Sequence, residues 1–397
     1  MKSRFTNTGD SVAGGAPGIS AGKFLGKGTP SAQTAVGAGR APDNPPDRFE
    51  QGLDKTIAGI GVGAGGMLLI LAASLLAAVV LIFLLSKDPV KTLSLFFLGP
   101  FRNAYYFGNM INGAVPLVFG GLGVSVAMKS GNLNLGGEGQ VYSGALITAV
   151  AALAFEGAGY AGAAAALLAG AFFAGLAAAF SGLCKVRWNT NELITSFLVS
   201  NALVLVANYC VTGPFLDPDT SLQATRKIPE MFRLPLVLPP SNLSAAVFFA
   251  LIAVALVQVF LYRTLAGYEI RMSGLNPMFA RYGGINTGFN VIASMFLSGA
   301  LYGAAGGMAV YGTYFSVVKE FSQGLGWNSL AVALIARSKP ALVVPAALFF
   351  AWIGAGARLA MQFSDVTVEI ASIVQSVVFF LVSSAALGNF FRGRGKP

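Results

Sequence analysis

The chain has no histidine, and only two cysteines, Cys184 and Cys210, among 397 residues. The first absence removes histidine general-base catalysis; together they remove Cys/His zinc sites and any disulfide framework. Both cysteines fall in or beside apolar runs and read as packing residues. Charge is scarce as well: Asp, Glu, Lys and Arg make up 11% of the chain, against about 25% in soluble domains. No apolar segment of leader type follows the first basic residues, so no cleaved signal peptide is expected. The hydrophobic stretches run continuously rather than alternating with period two, which argues against a β-barrel. A complete phosphate loop is missing: Ala21 stands where its first glycine is required, and Gly28 where Ser or Thr is required. Gly61, Gly63 and Gly66 do match the dinucleotide pattern, but no strand precedes them and they open an apolar span, so a nucleotide role is set aside.

Apolar residues and glycine fill the space left by charge. The chain is 55% hydrophobic, with 50 glycines and a mean hydropathy of +0.69. Several uncharged runs reach the ~20 residues needed to cross ~30 Å of hydrocarbon. An all-α, polytopic integral membrane helical bundle is the expectation. The net charge of +10 is dispersed over loops and tails, which fits inside-positive topology and not nucleic-acid binding.

Residues 1–56, rich in Gly, Ala, Ser, Thr and Pro, read as a disordered cytoplasmic tail before a transmembrane domain at 57–397. Spans are expected at about 58–85, 111–128, 140–156, 161–184, 192–211, 244–262, 290–312, 341–361 and 368–389. Counting the short apolar piece 329–336 as a partial span gives about ten membrane elements with both termini cytoplasmic. Residues 86–110, 212–243 and 263–289 read as polar loops. Segments 111–211 and 290–389 each run span, glycine-rich break, span, span, span, one starting outside and the other inside, as two inverted repeats would. Gly299, Gly303 and Gly307 recur every four residues, and Gly170 and Gly175 lie among alanines; these read as close helix packing.

The breaks carry the chemistry. Four glycines fall between Gly131 and Gln140, and the backbone groups they release cannot face lipid. Asn134, Glu138 and Gln140 bring amide and carboxylate groups to that place. Two readings stand: a transport site at membrane depth, or a cytoplasmic turn with a solvated Glu138. A second break follows at Gly324-Leu325-Gly326-Trp327-Asn328. In the loop from Gly267 to Ile285, Asn276 suits an N-cap, Pro277 the first helical position, and Gly283-Gly284 a stop. The short helix between them would expose Met278, Phe279 and Tyr282 for docking into a partner's groove.

Three stretches carry a family resemblance over about 58–390. Asn134-Leu135-Gly136-Gly137-Glu138-Gly139-Gln140 resembles an Asn-Ile-Gly-any-Glu-Gly-Gln signature of permease subunits of bacterial ABC importers in the branched-chain amino acid, ribose and simple-sugar superfamily, nucleoside-type branch. Gly267, Arg271, Gly274, Asn276, Pro277, Ala280, Gly284 and Ile285 resemble its ATPase-coupling loop, to which Phe279, Arg281 and Tyr282 also belong here. Gly324 to Leu334 resembles its second intramembrane motif. Leu135 replaces the family's Ile, Met272 and Phe279 stand where alanines are usual, and the long amino-terminal tail has no counterpart.

The resemblance implies a non-enzymatic subunit of the bacterial cytoplasmic (inner) membrane. Its implied partners are an ABC ATPase subunit that binds ATP and Mg, a second permease copy or paralogue, and an external substrate-binding protein or lipoprotein. The implied cargo is a small polar solute: a nucleoside, a simple sugar or riboflavin. Asn134, Gly136, Glu138, Gln140, Trp327 and Asn328 are the expected pathway residues, with Glu138 equally suited to holding the broken helix. No catalytic, cofactor or metal residues are expected in this chain. The alternatives are an ion-coupled secondary transporter and, with no acid, base or nucleophile cluster behind it, a membrane enzyme.

Overall fold

The computed structural model describes residues 64–365 and isolated positions between 367 and 381, all in the unit Gly52–Pro397. The expected tail at 1–56, the start of the first span, and the last span at 368–389 apart from those isolated positions lie outside the described residues. The regular structure among the described residues is helical, with three isolated β-bridges and no strand, and 213–245 is irregular apart from a 3-10 turn at Glu230–Phe232.

Helix α1 covers Ala64–Leu85. The stretch expected to be a polar loop at 86–110 is instead largely helical: α2 at Pro89–Leu93, a π-turn at Ser94–Leu98, a 3-10 turn at Gly99–Phe101, then α3 starting at Ala104. Two of its polar residues are caps. Asp88 accepts from the Lys91 N–H, and Asn103 Oδ1 accepts from the Tyr106 N–H at 2.9 Å. Cap residues look like a loop in composition because they sit where helices begin.

The membrane part follows as α3 (Ala104–Lys129), α4 (Gly137–Ala154), α5 (Gly159–Trp188), α6 (Glu192–Thr212) and α7 (Ala246–Arg263). Then come α8 (Leu265–Leu275), α9 (Pro277–Tyr282), α10 (Thr287–Ala309), α11 (Leu325–Ile335) and α12 (Pro340–Phe363). Among the described residues six helices are long and apolar enough to cross a membrane, and Leu75–Leu84 and Leu325–Ile335 are shorter apolar helices. The expected count of ten is not confirmed among these residues, since the last expected span lies largely outside them.

The lower half of α3, from Leu117 to Met128, is buried on every side, so α3 is the central post. Around it, α10 packs on α5, α4 and α3; α12 and α11 pack on α3; α4 packs on α5, and α11 on α12. Exchanging α3, α4 and α5 for α10, α11 and α12 maps this set of contacts onto itself.

Glycine permits the closest crossings. A Cβ on Gly299 would lie 2.4 Å from the Ala174 carbonyl oxygen, and one on Gly303 would lie 2.7 Å from Ala174 Cβ. On the neighbouring face a Cβ on Gly306 would meet the Val141 oxygen at 2.1 Å. Backbones this close gain van der Waals contact that no larger residue allows. Gly306→Val should therefore cost ~1–3 kcal/mol or more through overpacking. Gly157→Val, where a Cβ would meet nothing within 4 Å, should be harmless. Monodisperse yield after detergent extraction checks this: a several-fold loss for the first and wild-type yield for the second are expected.

Candidate functional site

Each break is followed by a helix whose first turn holds the polar signature. The first break spans 130–136 and α4 begins at Gly137, so Glu138 and Gln140 lie in its first turn. The second runs over 315–324, longer than the sequence suggests, and Trp327 and Asn328 lie in the first turn of α11. Left-handed backbone recurs there at Phe315, Glu320, Gln323 and Gly324. The two helix starts face each other: a Cβ on Gly137 would lie 2.8 Å from Gly326 Cα and 2.6 Å from Tyr302 Cζ. Nine residues separate Gly326 from the end of α11 at Ile335, so the meeting point lies roughly 14 Å from that end of the helix.

Glu138 joins the two starts. Its Oε1 accepts from the Gly326 N–H at 2.9 Å and the Trp327 N–H at 3.3 Å, and its Oε2 accepts from the Gly324 N–H at 3.3 Å. A carboxylate from α4 thus caps α11, supplying acceptors for helix-start donors and a negative charge at the positive end of the helix dipole. Glycine at 324 fits its φ of +85°, which other residues adopt only with strain. The Tyr302 hydroxyl closes the other side, donating to the Gly326 oxygen at 3.2 Å.

The first break is closed by amides and serines. Asn134 and Gln140 are both 1% exposed. Their amides pair reciprocally, Asn134 Nδ2 to Gln140 Oε1 at 2.8 Å and Gln140 Nε2 to Asn134 Oδ1 at 3.1 Å. Asn134 Oδ1 also accepts from the Gly136 N–H, and its Nδ2 donates to Ser298 Oγ at 3.0 Å. A Cβ on Gly136 would lie 2.1 Å from Gln140 Nε2, so glycine there makes room for the amide pair. Ser196 and Ser200 of α6 accept from the Leu135 and Gly139 N–H groups at 3.1 and 2.8 Å. The open side holds different groups: Trp327 is 40% exposed, its ring is 6.2 Å from that of Phe197, and Asn328 is half-buried beside it.

The segment 263–289 is more helical than a polar loop. Thr264 Oγ1 accepts from the Gly267 N–H and caps α8; Asn276 Oδ1 accepts from the Phe279 N–H at 3.0 Å and caps α9, which Gly283 ends. Met278, Phe279 and Tyr282 are exposed and Ala280 is buried. Arg281 is exposed with its Nε donating to Thr287 Oγ1, and Ile285, half-buried, donates its N–H to the Ala280 oxygen. Gly267 and Gly274 bind this segment to the bundle. A Cβ on Gly267 would meet the Phe260 oxygen at 2.0 Å, and one on Gly274 the Lys129 oxygen at 2.2 Å. Gly284 has φ +79° and faces open space.

Several residues of the site escaped sequence reasoning. Ser196 and Ser200, four apart on an apolar helix, and Ser298 look like ordinary small residues until their partners are known. Arg358 had a signal: a lone arginine inside the apolar run 341–361. It is exposed, and its Nη2 lies 3.8 Å from where a Cβ on Gly113 would stand. Gly113 is nine residues into α3, or roughly 13 Å below its start. Among the described residues no three of His, Cys, Asp and Glu gather to hold a metal.

The sequence matches the model of a family described as "Branched-chain amino acid transport system / permease component" over residues 106–383. It is 33% identical over 316 residues, 79% of this chain and 83% of the relative, to a protein of Treponema pallidum described as a probable riboflavin import permease. A guanosine ABC transporter permease of Bacillus subtilis is 30% identical, with 81% of this chain and 93% of that one covered. A glucose ABC transporter permease of Haloferax volcanii is 29% identical, over 80% and 86%. No solved structure matches.

The Glu138 clasp has a direct consequence. Glu138→Ala leaves three N–H groups without acceptors, costing about 1–3 kcal/mol for the site and lowering both yield and transport. Glu138→Gln keeps one acceptor oxygen, so folding should survive with partial transport. Thermal unfolding of the two purified variants checks the order: wild type, then Gln, then Ala.

Proposed function

Because the chain belongs to the family described as "Branched-chain amino acid transport system / permease component", we propose that it is the membrane-spanning subunit of an ATP-driven importer. It forms the path for a small polar solute, a nucleoside first, with simple sugars and riboflavin as the alternatives. The relatives named for riboflavin and guanosine import support that class, as does the exposed Trp327–Phe197 pair beside the clasped break. Aromatic faces stack on planar heterocycles, and an amide such as Asn328 offers both a donor and an acceptor. In this reading the buried Asn134 and Gln140 shape the path without touching the solute. Glu138 holds its wall, and Trp327 and Asn328 face the solute. Arg358 faces the same path nearer the outside, since an exposed guanidinium at span depth needs water or a polar partner.

The observation that carries the reading is the mechanical continuity from α9 to the first break. The exposed Met278, Phe279 and Tyr282 offer an apolar knob to an ATPase groove. Through Gly274 the same segment bears on the Lys129 carbonyl, only five residues before Asn134. Ser294 donates to Ser130 Oγ at 2.7 Å and ties that junction to α10. Motion of α9 would therefore reach the break through the Asn276 junction and the seat of Gly274 on Lys129. ATP and Mg are held by the partner ATPase, and this chain transmits the work. A second permease and an external binding protein complete the assembly, in the bacterial cytoplasmic membrane with the α8–α9 side inward. The exchangeable packing of α3–α5 and α10–α12 supports two inverted repeats rocking about the path.

Uptake measured with the ATPase and binding protein present tests this. Nucleoside uptake should stop on ATP depletion and survive collapse of the proton gradient. Phe279→Asp, which would bury an unpaired carboxylate at the contact, should abolish uptake in a properly inserted protein. Uptake that follows an ion gradient and ignores ATP would make the chain a secondary transporter, and normal uptake by Phe279→Asp would remove α9 from the ATPase contact.

A further inference from the structure

A cavity of about 820 Å³ opens where α3, α5, α7, α8 and α10 converge, beside the α8–α9 turn. Four cations line it, Lys129, Lys185, Arg271 and Arg281, and no Asp or Glu does. Two of them have work elsewhere. Lys185 meets Glu192 at 2.7 Å and donates to Asn132, and Arg281 donates through Nε to Thr287. Lys129 and Arg271 form no ion pair among the described residues. Instead they lie in each other's field, and Lys129 also lies in that of Lys339. The Arg271 guanidinium stacks 5.0 Å from the Tyr262 ring, and its Nε is buried without a hydrogen-bond partner. An unpartnered donor and uncompensated like charges in one cavity cost free energy unless an anion fills the space.

We propose that this cavity binds a phosphoryl anion. Phosphate oxygens match a guanidinium and an ammonium that have no carboxylate, and the hydroxyls of Ser130 and Ser273 line the same wall. The cavity lies at the helix ends, where lipid headgroups sit, and its placement on the cytoplasmic side rests on the importer reading above. Two sources share the chemistry: an anionic lipid headgroup, and soluble phosphate. The bound anion would neutralise the wall against which Gly274 seats α8, setting how firmly the coupling helix is held.

The test is thermal unfolding of the purified full-length chain with dioctanoyl phosphatidylglycerol, dioctanoyl phosphatidylcholine or inorganic phosphate added. It needs neither ATP nor a transported solute, so it fails or succeeds independently of the importer reading. Phosphatidylglycerol should raise the unfolding temperature by about 2 °C or more at saturation, phosphatidylcholine should not, and the shift should vanish in Lys129→Gln/Arg271→Gln but persist in Arg226→Gln, an exposed arginine of the segment between α6 and α7 that does not line the cavity. An equal shift with inorganic phosphate would assign the soluble source. Removing mutually repelling charges should leave the double variant at least as stable as wild type without additive, so it remains a folded control. Equal responses of wild type and double variant to both anions would overturn the proposal. So would the absence of any shift in the wild type with either anion.

Discussion

A helix that stops inside a membrane must find partners for the backbone groups it releases, and the rest of this structure is arranged around that requirement. Two helices, α4 and α11, start within the bundle with their N-termini facing each other. Side by side, two positive helix ends repel. A carboxylate between them resolves the conflict, and Glu138 reaches three N–H groups of the opposite break. The first break is satisfied by Asn134, Ser196 and Ser200. The second break leans on a segment from far along the chain: Thr225 and Ile228 donate to the Val317 and Phe315 oxygens, and Lys319 donates to the Gln223 oxygen.

This arrangement separates support from contact. The groups that look most like a binding site in the sequence, Asn134 and Gln140, are spent on each other. What remains available beside the break is an aromatic pair, an amide and, farther along α12, one arginine. On the proposed reading, a path built this way would change its polar lining without disturbing the backbone that holds it. Relatives named for a flavin, a nucleoside and a sugar fit a scaffold of that kind.

How much was legible from sequence depended on the range of the cause. Long apolar runs gave the helices of α5, α6 and α7 to within a few residues, because burial in lipid is a composition-wide property. The α9 helix could be read from Asn276, Pro277 and Gly283, since capping is local. The helical turns at 89–101 and all of α8 were hidden, because caps such as Asp88 and Thr264 resemble loop residues and short amphipathic turns lack a long apolar signature. The breaks were visible as glycine clusters. Their closure was not: the bond from Glu138 to Gly326 spans 188 residues, and nothing in either segment names the other. Ser196 and Ser200 are silent for the same reason, whereas Arg358 is visible as a charge in an apolar run.

The central claim is that Glu138 is the acceptor for the start of α11. Hydrogen exchange reads those donors directly, on overlapping peptides that begin at or before Phe321 and run to Leu330, in the wild type and in Glu138→Ala, with a peptide from α5 as reference. The account predicts that the Gly324, Gly326 and Trp327 amides exchange at least tenfold faster in the variant, a loss of about 1.4 kcal/mol of protection, while the α5 peptide is unchanged. Equal exchange at these three amides in both proteins would mean that the carboxylate does not hold the break, and the account of the site would fail with it.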